Sequence, residues 1–313
     1  MSDLSKKVYK KRVLFVGIPD MAYVCLDSLL DSGVNIVGVL GPKTSHPTYL
    51  NFKRFVNNRE QNFIEYDELD DPYFIQKIRG LNADVAVVCS FNYKVPKILL
   101  NCVKDGFINV HPSLLPKYRG ANPYSAVIAN NERETGVSLH FMDENFDTGD
   151  LIDQKKLIIN QKETMGTLFN RLNLLAINML QETFEKYETS ELPRIKQPEG
   201  NFVTTKGFKD ELLLINYENT AEEIERFLRS LNPFLTASTS FRKNYVKIYS
   251  AEVVNKNIKE HPGTIVKVEN DKFLIATKHG LLSPTALQFG SFFVGSARDF
   301  IKILSPKVGE RFE

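Results

Sequence analysis

The chain has 313 residues, 25% of them charged and 42% hydrophobic, with a formal net charge of +2. That length supports two domains with separate cores, and the composition excludes a disordered or fibrous chain. A balance so near neutrality excludes binding to nucleic acid through bulk charge, although a local basic surface stays open.

Cys25, Cys89 and Cys102 lie in apolar contexts without metal-type spacing, which reads as buried thiols in a reducing compartment. The basic N-terminal segment leads into an apolar run at residues 13–18 that is too short for a signal peptide. No window reaches the roughly 18 apolar residues of a membrane span, so a cytoplasmic location is expected.

In chain order, residues 13–17 (VLFVG) form a compact apolar strand ending in glycine. Val24, Leu26, Leu29 and Leu30 carry helical spacing over residues 22–32, and residues 34–40 form a second apolar strand. Strand, helix, strand predicts a parallel-sheet unit with a right-handed crossover. Gly17 leads into Ile18, Pro19 and Asp20, not a G-x-G-x-x-G turn, which argues against a dinucleotide site. Residues 43–72 are polar and less regular, with Lys53, Arg54 and Arg59 among Tyr49, Phe52 and Phe55. They read either as a solvated helix and loop or as an insertion that meets a second substrate. Residues 72–79 read as a helix, residues 83–89 (ADVAVVC) as a fully buried strand, and Pro96 opens a short helix to about Leu100.

The next stretch, residues 107–151, organises the chain. Its first strand, residues 107–110, places Asn109 and His111 on one face by the two-residue period of extended backbone. Pro112 and Pro116 stop regular structure, so a loop carries Lys117, Tyr118, Arg119 and Gly120. A helix over residues 123–131, a strand over 136–142 and an acidic turn over 143–150 follow. An amide, an imidazole and a carboxylate thus reach the ends of neighbouring strands, where open α/β sheets place ligands. Lys117 and Arg119 read either as solvated charges or as a grip on a phosphate or other negative group. His140 faces either this site or the core.

Residues 151–159 alternate as a strand, and Thr164 starts a long helix through Leu168, Leu172, Leu175, Met179 and Leu180. Pro193, Pro198 and Gly200 mark residues 190–200 as a linker. A helix over 220–230 ends at Asn232-Pro233. Short strands then recur at 246–254, 263–268, 272–276, 280–284 and 286–289, which predicts a small β-barrel. Residues 206–313 hold 16 Lys and Arg against 13 Asp and Glu, an excess of 3 that is too slight to argue for RNA binding. The expected fold class is α/β: a Rossmann-like, mostly parallel sheet in residues 1–200, followed by the barrel in residues 201–313.

Asn109-x-His111-x-Ser113-Leu114-Leu115-Pro116, followed by Asp147-Thr148-Gly149-Asp150, resembles the folate-dependent formyltransferases. The resemblance implies the formyltransferase fold with an OB-like second domain, and Asn109, His111 and Asp147 as catalytic residues. It implies 10-formyltetrahydrofolate as formyl donor and no metal. Ser90, Phe91, Asn92 and Tyr93 would hold the pterin, with Ser113, Leu114, Leu115, Pro116, Met142 and Asp143 completing the pocket. The acceptor it implies is a primary amine, initiator methionyl-tRNA first and a nucleotide-linked amino sugar second. Hydrolysis of the donor is a third reading, and a binding module without chemistry is the non-enzyme one. Members acting on tRNA carry a Gly/Arg/Lys-rich loop that residues 41–46 (GPKTSH) do not reproduce, which suits the amino sugar.

Formyl transfer to an amine passes through a tetrahedral species bearing an oxyanion, so the site needs a donor for that oxygen and an acceptor for the amine proton. A protonated His111 could donate to the oxyanion, and the Asn109 NH2 is a second donor. Asp147 would favour the imidazolium and take protons through water.

Overall fold

The structure is a computed structural model that describes residues 9–91, 93–209, 213–256, 258–291 and 293–313. Of the candidate site residues, Asn92 lies outside the described residues. The elements up to the long helix are β1 (Arg12–Gly17), α1 (Met21–Asp31), β2 (Asn35–Pro42), α2 (Pro47–Asn58), β3 (Phe63–Tyr66), α3 (Pro72–Gly80), β4 (Val85–Cys89), α4 (Lys97–Leu100), β5 (Phe107–His111), β6 (Arg119–Gly120), α5 (Pro123–Ala129), β7 (Glu134–Phe141), β8 (Leu151–Ile158) and α6 (Met165–Tyr187). There follow β9 (Thr204–Thr205), α7 (Ala221–Leu231), β10 (Ala237–Phe241), β11 (Asn244–Val254), β12 (Ile265–Val268), β13 (Phe273–Ala276), β14 (Leu281–Phe289), β15 (Phe293–Ser296) and α8 (Ala297–Leu304).

One unit comprises Met1–Pro123, Glu134–Ile158 and Asn170–Thr205. Its seven-stranded sheet has the order β3-β2-β1-β4-β5-β7-β8, with the first five strands parallel and β7 and β8 each antiparallel to its predecessor in that order. β4 is buried throughout and β1 beyond Arg12, because helices cover both faces; that is why they read as unbroken apolar runs instead of alternating. One face packs Leu14, Val16, Leu40, Ile64, Val88 and Phe107 with Ile75 and Ile78 of α3 and Leu99 of α4. Each such side chain contributes about 1.5–3 kcal/mol relative to remaining exposed.

Two stretches are more ordered than their composition suggests. Residues 43–72 contain α2 and β3: Pro47 opens α2, His46 accepts from the Thr48 N–H at 3.4 Å, and Phe52 and Val56, one turn apart, are buried. Residues 190–200 are not a free linker. Ile195 exchanges backbone hydrogen bonds with Leu151 at 2.7 and 2.9 Å, and β9 then pairs in parallel with β6. The segment is a strap on its own unit.

The second unit comprises Tyr124–Arg133, Ile159–Phe169 and Lys206–Glu313. Its antiparallel sheet has the order β10-β11-β14-β13-β12, with β15 also on β14. Residues 280–284 and 286–289, read from the sequence as two strands, are one strand, β14, running through Pro284. β10, β15 and α8 are additions to the expected set. Near the C-terminus Arg311 bridges Thr264 beside β12, while Phe312 bridges Phe241 on β10. The ring therefore closes through the last residues, which removes the open edges an unclosed sheet would leave. Inside it, the rings of Phe241, Phe273, Phe300 and Phe312 pack at centroid distances from 4.8 to 6.1 Å. α7 starts at a reciprocal cap, Thr220 Oγ1 accepting from Glu223 N at 3.2 Å and Glu223 accepting from Thr220 N at 2.8 Å.

Among the described residues, no helix is long and apolar enough to cross a membrane. No group of three or more His, Cys, Asp and Glu among them is arranged to hold a metal ion.

Candidate active site

β5 delivers Asn109 and His111, and its antiparallel register with β7 sets Asn109 opposite His140 and His111 opposite Ser138. Directly opposed residues share a face, so His140 joins the site and not the core. Beyond β7 the chain turns back over that face. Gly149 passes so close that a Cβ there would stand 1.9 Å from the Phe141 carbonyl oxygen. Asp147 is itself left-handed, at φ 55°, a conformation that costs an L-residue on the order of 1–3 kcal/mol and is typical of functional turns.

Asp147 is the hub. Its Oδ1 accepts from Asn109 Nδ2 at 3.1 Å and lies 3.4 Å from His140 Nε2. Its Oδ2 accepts from the Gly120 N–H at 2.8 Å and lies 3.5 Å from His111 Nδ1. Burial by itself would raise the carboxyl pKa. The opposing pull of His111, His140 and the Gly120 N–H is greater and holds it well below the usual carboxylate range.

His111 is buried, and its Nε2 donates to the Tyr118 carbonyl at 2.9 Å; a carbonyl only accepts, so that nitrogen carries the proton. Burial, the largest influence, pushes its pKa below the ordinary 6.5; Asp147 pulls it up, while His140 and Arg119 add to the lowering. The free protein at neutral pH therefore holds a neutral ring with Nδ1 turned to Asp147. The imidazolium expected from the Asp147 charge alone gives way to the cost of burying a cation.

Asn109 also sits differently from expectation. Asp147 can only accept, so the amide nitrogen must face it, and Nδ2 is also 3.2 Å from His140 Nε2. Both amide protons are engaged, and Oδ1 is the free end among the described residues. His140 Nδ1 in turn is 2.8 Å from the Phe141 carbonyl.

The loop supplying Tyr118 and Gly120 is braced from beneath. Ser113 Oγ donates to the Lys117 carbonyl at 2.8 Å, and Ser138 Oγ donates to the Ser113 carbonyl at 2.6 Å. The Leu115 N–H donates to Ser138 Oγ at 3.1 Å, and Gln154 Nε2 to the Leu115 carbonyl at 2.9 Å. Ser113 and Leu115 belong to this brace, and the Leu114 carbonyl accepts from the Lys117 N–H at 3.2 Å.

Ser90, at φ 52°, turns the chain out of β4, Phe91 packs against the apolar cluster of the sheet face, and Tyr93 is exposed with its ring 5.5 Å from Phe91. A cleft of about 980 Å³ lies beside the turn after β7. Met142, Asp143, Asn145, Phe107, Leu100 and Lys97 line it, and residues 113–116 do not.

One contributor has no signal in the sequence. Gln197, in the strap, donates through Nε2 to the carbonyls of Asp147 at 2.9 Å and Gly149 at 2.8 Å, partners 50 and 48 residues away. Its Oε1 accepts from Arg119 Nη2 at 2.6 Å. No local pattern marks a glutamine for such a contact.

Comparison with known proteins places this arrangement. Residues 13–184 match the family described as "Formyl transferase", and residues 208–304 match "Formyl transferase, C-terminal domain". The methionyl-tRNA formyltransferase of Alkaliphilus oremlandii is 33% identical over 299 residues, covering 93% of this chain and 96% of that one. That of Clostridioides difficile is 33% identical over 278 residues, covering 87% and 90%. Among solved structures, an N-formyltransferase from Helicobacter canadensis, in complex with folinic acid and dTDP-3-aminofucose, superposes with a TM-score of 0.63 at 21% identity, covering 88% of this chain and 98% of that one. HypX from Aquifex aeolicus in complex with tetrahydrofolic acid gives 0.63 at 16% identity, covering 96% and 48%. These likenesses show a shared fold. By the two matched families and by its relatives, the chain belongs to the formyl transferase family.

Proposed function

We propose that the protein moves the formyl group of a tetrahydrofolate-type donor, 10-formyltetrahydrofolate, to a primary amine, and that the amine is that of methionyl-tRNA. The observation that carries the reading is the buried carboxylate of Asp147, held between His111 and Asn109. The acceptor follows the relatives at 33% identity, of whose length this chain matches 96% and 90%.

The residues present fit the donor. A flat ring with polar edges suits a cleft of about 980 Å³ lined by Leu100, Phe107 and Met142 together with Asp143 and Asn145. Met142 and Asp143 line that cleft and would hold the donor there, while Ser90, Phe91 and Tyr93, the turn after β4, lie outside its lining and would meet another part of it. The donor supplies an activated formyl group. His111, neutral and buried, takes the proton released as the amine attacks, and Asp147 stabilises the imidazolium so formed. Nε2–H stays on the Tyr118 carbonyl, so the proton gained sits on Nδ1. Nδ1 donates to the formyl oxygen as negative charge develops there, then gives the proton to the donor's nitrogen as the bond between that nitrogen and the formyl carbon breaks. Asn109 Oδ1 orients the amine by accepting one of its hydrogens.

A second acceptor, an amino sugar linked to a nucleotide, is favoured by one observation. Of the cations on the α2 side, Lys43 pairs with Asp67 at 3.2 Å and Lys53 with Glu65 at 2.8 Å. That leaves Arg54 as the exposed cation of α2 without an ion pair among the described residues. Incubation with 10-formyltetrahydrofolate and either charged initiator tRNA or nucleotide amino sugars, with the formylated product identified, decides between them. Donor hydrolysis with neither amine formylated would sink the transferase reading.

A further inference from the structure

We propose that Arg119, aimed by Gln197, is a phosphate-binding residue for the acceptor, taking an oxygen of a nucleotide-linked amine beside His111. This deepens the reading above, since both acceptors considered there are nucleotides carrying phosphate.

Arg119 is half-buried, and among the described residues it makes no ion pair. Its position is fixed from every side. The preceding residue, Tyr118, gives its carbonyl to His111 at 2.9 Å, and the following one, Gly120, gives its N–H to Asp147 at 2.8 Å. The Arg119 carbonyl accepts from Thr205 Oγ1 at 3.1 Å, and Nη2 is locked on Gln197 Oε1 at 2.6 Å. Nε is shielded from solvent with no hydrogen-bond partner.

Asp147 makes no ion pair with this guanidinium: its Oδ1 accepts from Asn109 and its Oδ2 from the Gly120 N–H. A cation beside His111 also works against that ring's gain of a proton. The placement therefore hinders the chemistry unless the substrate brings the countercharge. A planar guanidinium matches two phosphate oxygens at once, which an ammonium does not. Lys117, exposed two residues earlier on the same loop, adds a second positive charge. The other anion in the reaction is a carboxylate of the folate donor, and the experiment separates the two.

The test is steady-state kinetics of Arg119→Gln, Arg119→Lys and Gln197→Ala with donor and acceptor varied separately. It uses methionyl-tRNA and a nucleotide amino sugar in separate arms, and inorganic pyrophosphate as a competitor and as a calorimetric ligand. For whichever amine the wild type formylates, Arg119→Gln should raise the acceptor KM about 10–100-fold, the scale of a lost charge-assisted hydrogen bond. Its kcat should move far less. Lysine should restore part of the loss, and Gln197→Ala should show a smaller rise. Pyrophosphate should compete with the acceptor in the wild type and lose its binding heat in Arg119→Gln.

A fall in kcat with acceptor KM unchanged would place Arg119 on the reacting oxygen and overturn the proposal. A rise in donor KM, with pyrophosphate competing against the donor, would assign it to the folate carboxylates and overturn it equally. Arg119-dependent pyrophosphate binding in a wild type that formylates neither amine would support the anion site and remove the transferase reading. Normal kinetics in all three variants would do the reverse.

Discussion

Residues 107–150 and the strap at residues 190–205 meet at one residue, Asp147, and bring it different things. The first stretch contributes the ionisable groups, His111, His140 and Asp147, whose side chains are 5%, 1% and 10% exposed. The strap adds no charge to that cluster: Gln197 gives two hydrogen bonds to carbonyls of the turn and receives one from Arg119. The titratable groups lie in a local segment, while neutral groups arriving from far along the chain hold the turn that carries Asp147. Disabling the first should abolish turnover; disabling the second should degrade it.

The sharpest break is His111→Ala. It removes the group proposed to take and return the proton, and turnover should fall by about 10² or more, the range of a lost general acid–base group. The donor KM should change little, since the proposed folate wall is built from other residues. Near-normal turnover with an intact fold would take His111 out of the mechanism.

Gly149→Ala comes next. Its Cβ would stand 1.9 Å from the Phe141 carbonyl oxygen, so the turn that carries Asp147 must shift. A loss of on the order of 1–3 kcal/mol in unfolding free energy is expected, the range of forced backbone displacement, along with reduced turnover. Chemical denaturation reads the first and a formylation assay the second; an unperturbed variant would mean the turn is slack.

Gln197→Ala tests the strap alone. Leaving two carbonyls of the turn without their donor should cost about 1–2 kcal/mol, equivalent to roughly tenfold in kcat/KM if orientation is the strap's contribution. An effect as large as that of His111→Ala would erase the distinction between the two regions, and so would no effect at all.

The same contrast explains what could be read from the chain in advance. Asn109 and His111 share a face by the two-residue period, and Asp147 lies in the turn after the next long strand, so local rules bring them together. The parallel core was legible for a similar reason, because strands buried on both faces appear as the runs VLFVG and VAVVC. His140 needed the register of β5 with β7, which single-strand alternation does not give. The protonation of His111 needed the balance between burial and a neighbouring charge, and residue spacing is silent on burial. Gln197 lies among Pro193, Pro198 and Gly200, whose composition speaks of a linker and hides the bridge to Leu151. The closing bridges of Arg311 and Phe312 were hidden too, since each is a single residue and not a strand.

The smallest expected effect concerns pH, and it isolates the ionisable region from the strap. His111 has a folded pKa below its ordinary 6.5, because burial outweighs the pull of Asp147. As pH falls through 6.5, the unfolded chain binds a proton that the folded ring refuses. Stability therefore declines with acidification until the pH reaches the folded value. Asp147, held below its ordinary 3.8, has the same sign in a lower window: its contribution is full above 3.8 and is lost as pH falls towards its folded pKa. Both groups thus make the fold acid-sensitive, in two separate ranges. Unfolding free energies of the wild type and His111→Asn, measured by chemical denaturation from pH 7.5 down to pH 4.5, should diverge just below 6.5, with the wild type falling more steeply. Gln197→Ala should lie lower than the wild type but parallel to it, since that amide does not titrate. Parallel curves for wild type and His111→Asn would mean that Asp147 compensates fully for burial, and a wild type that gains on His111→Asn as pH falls would make the imidazolium the resting state.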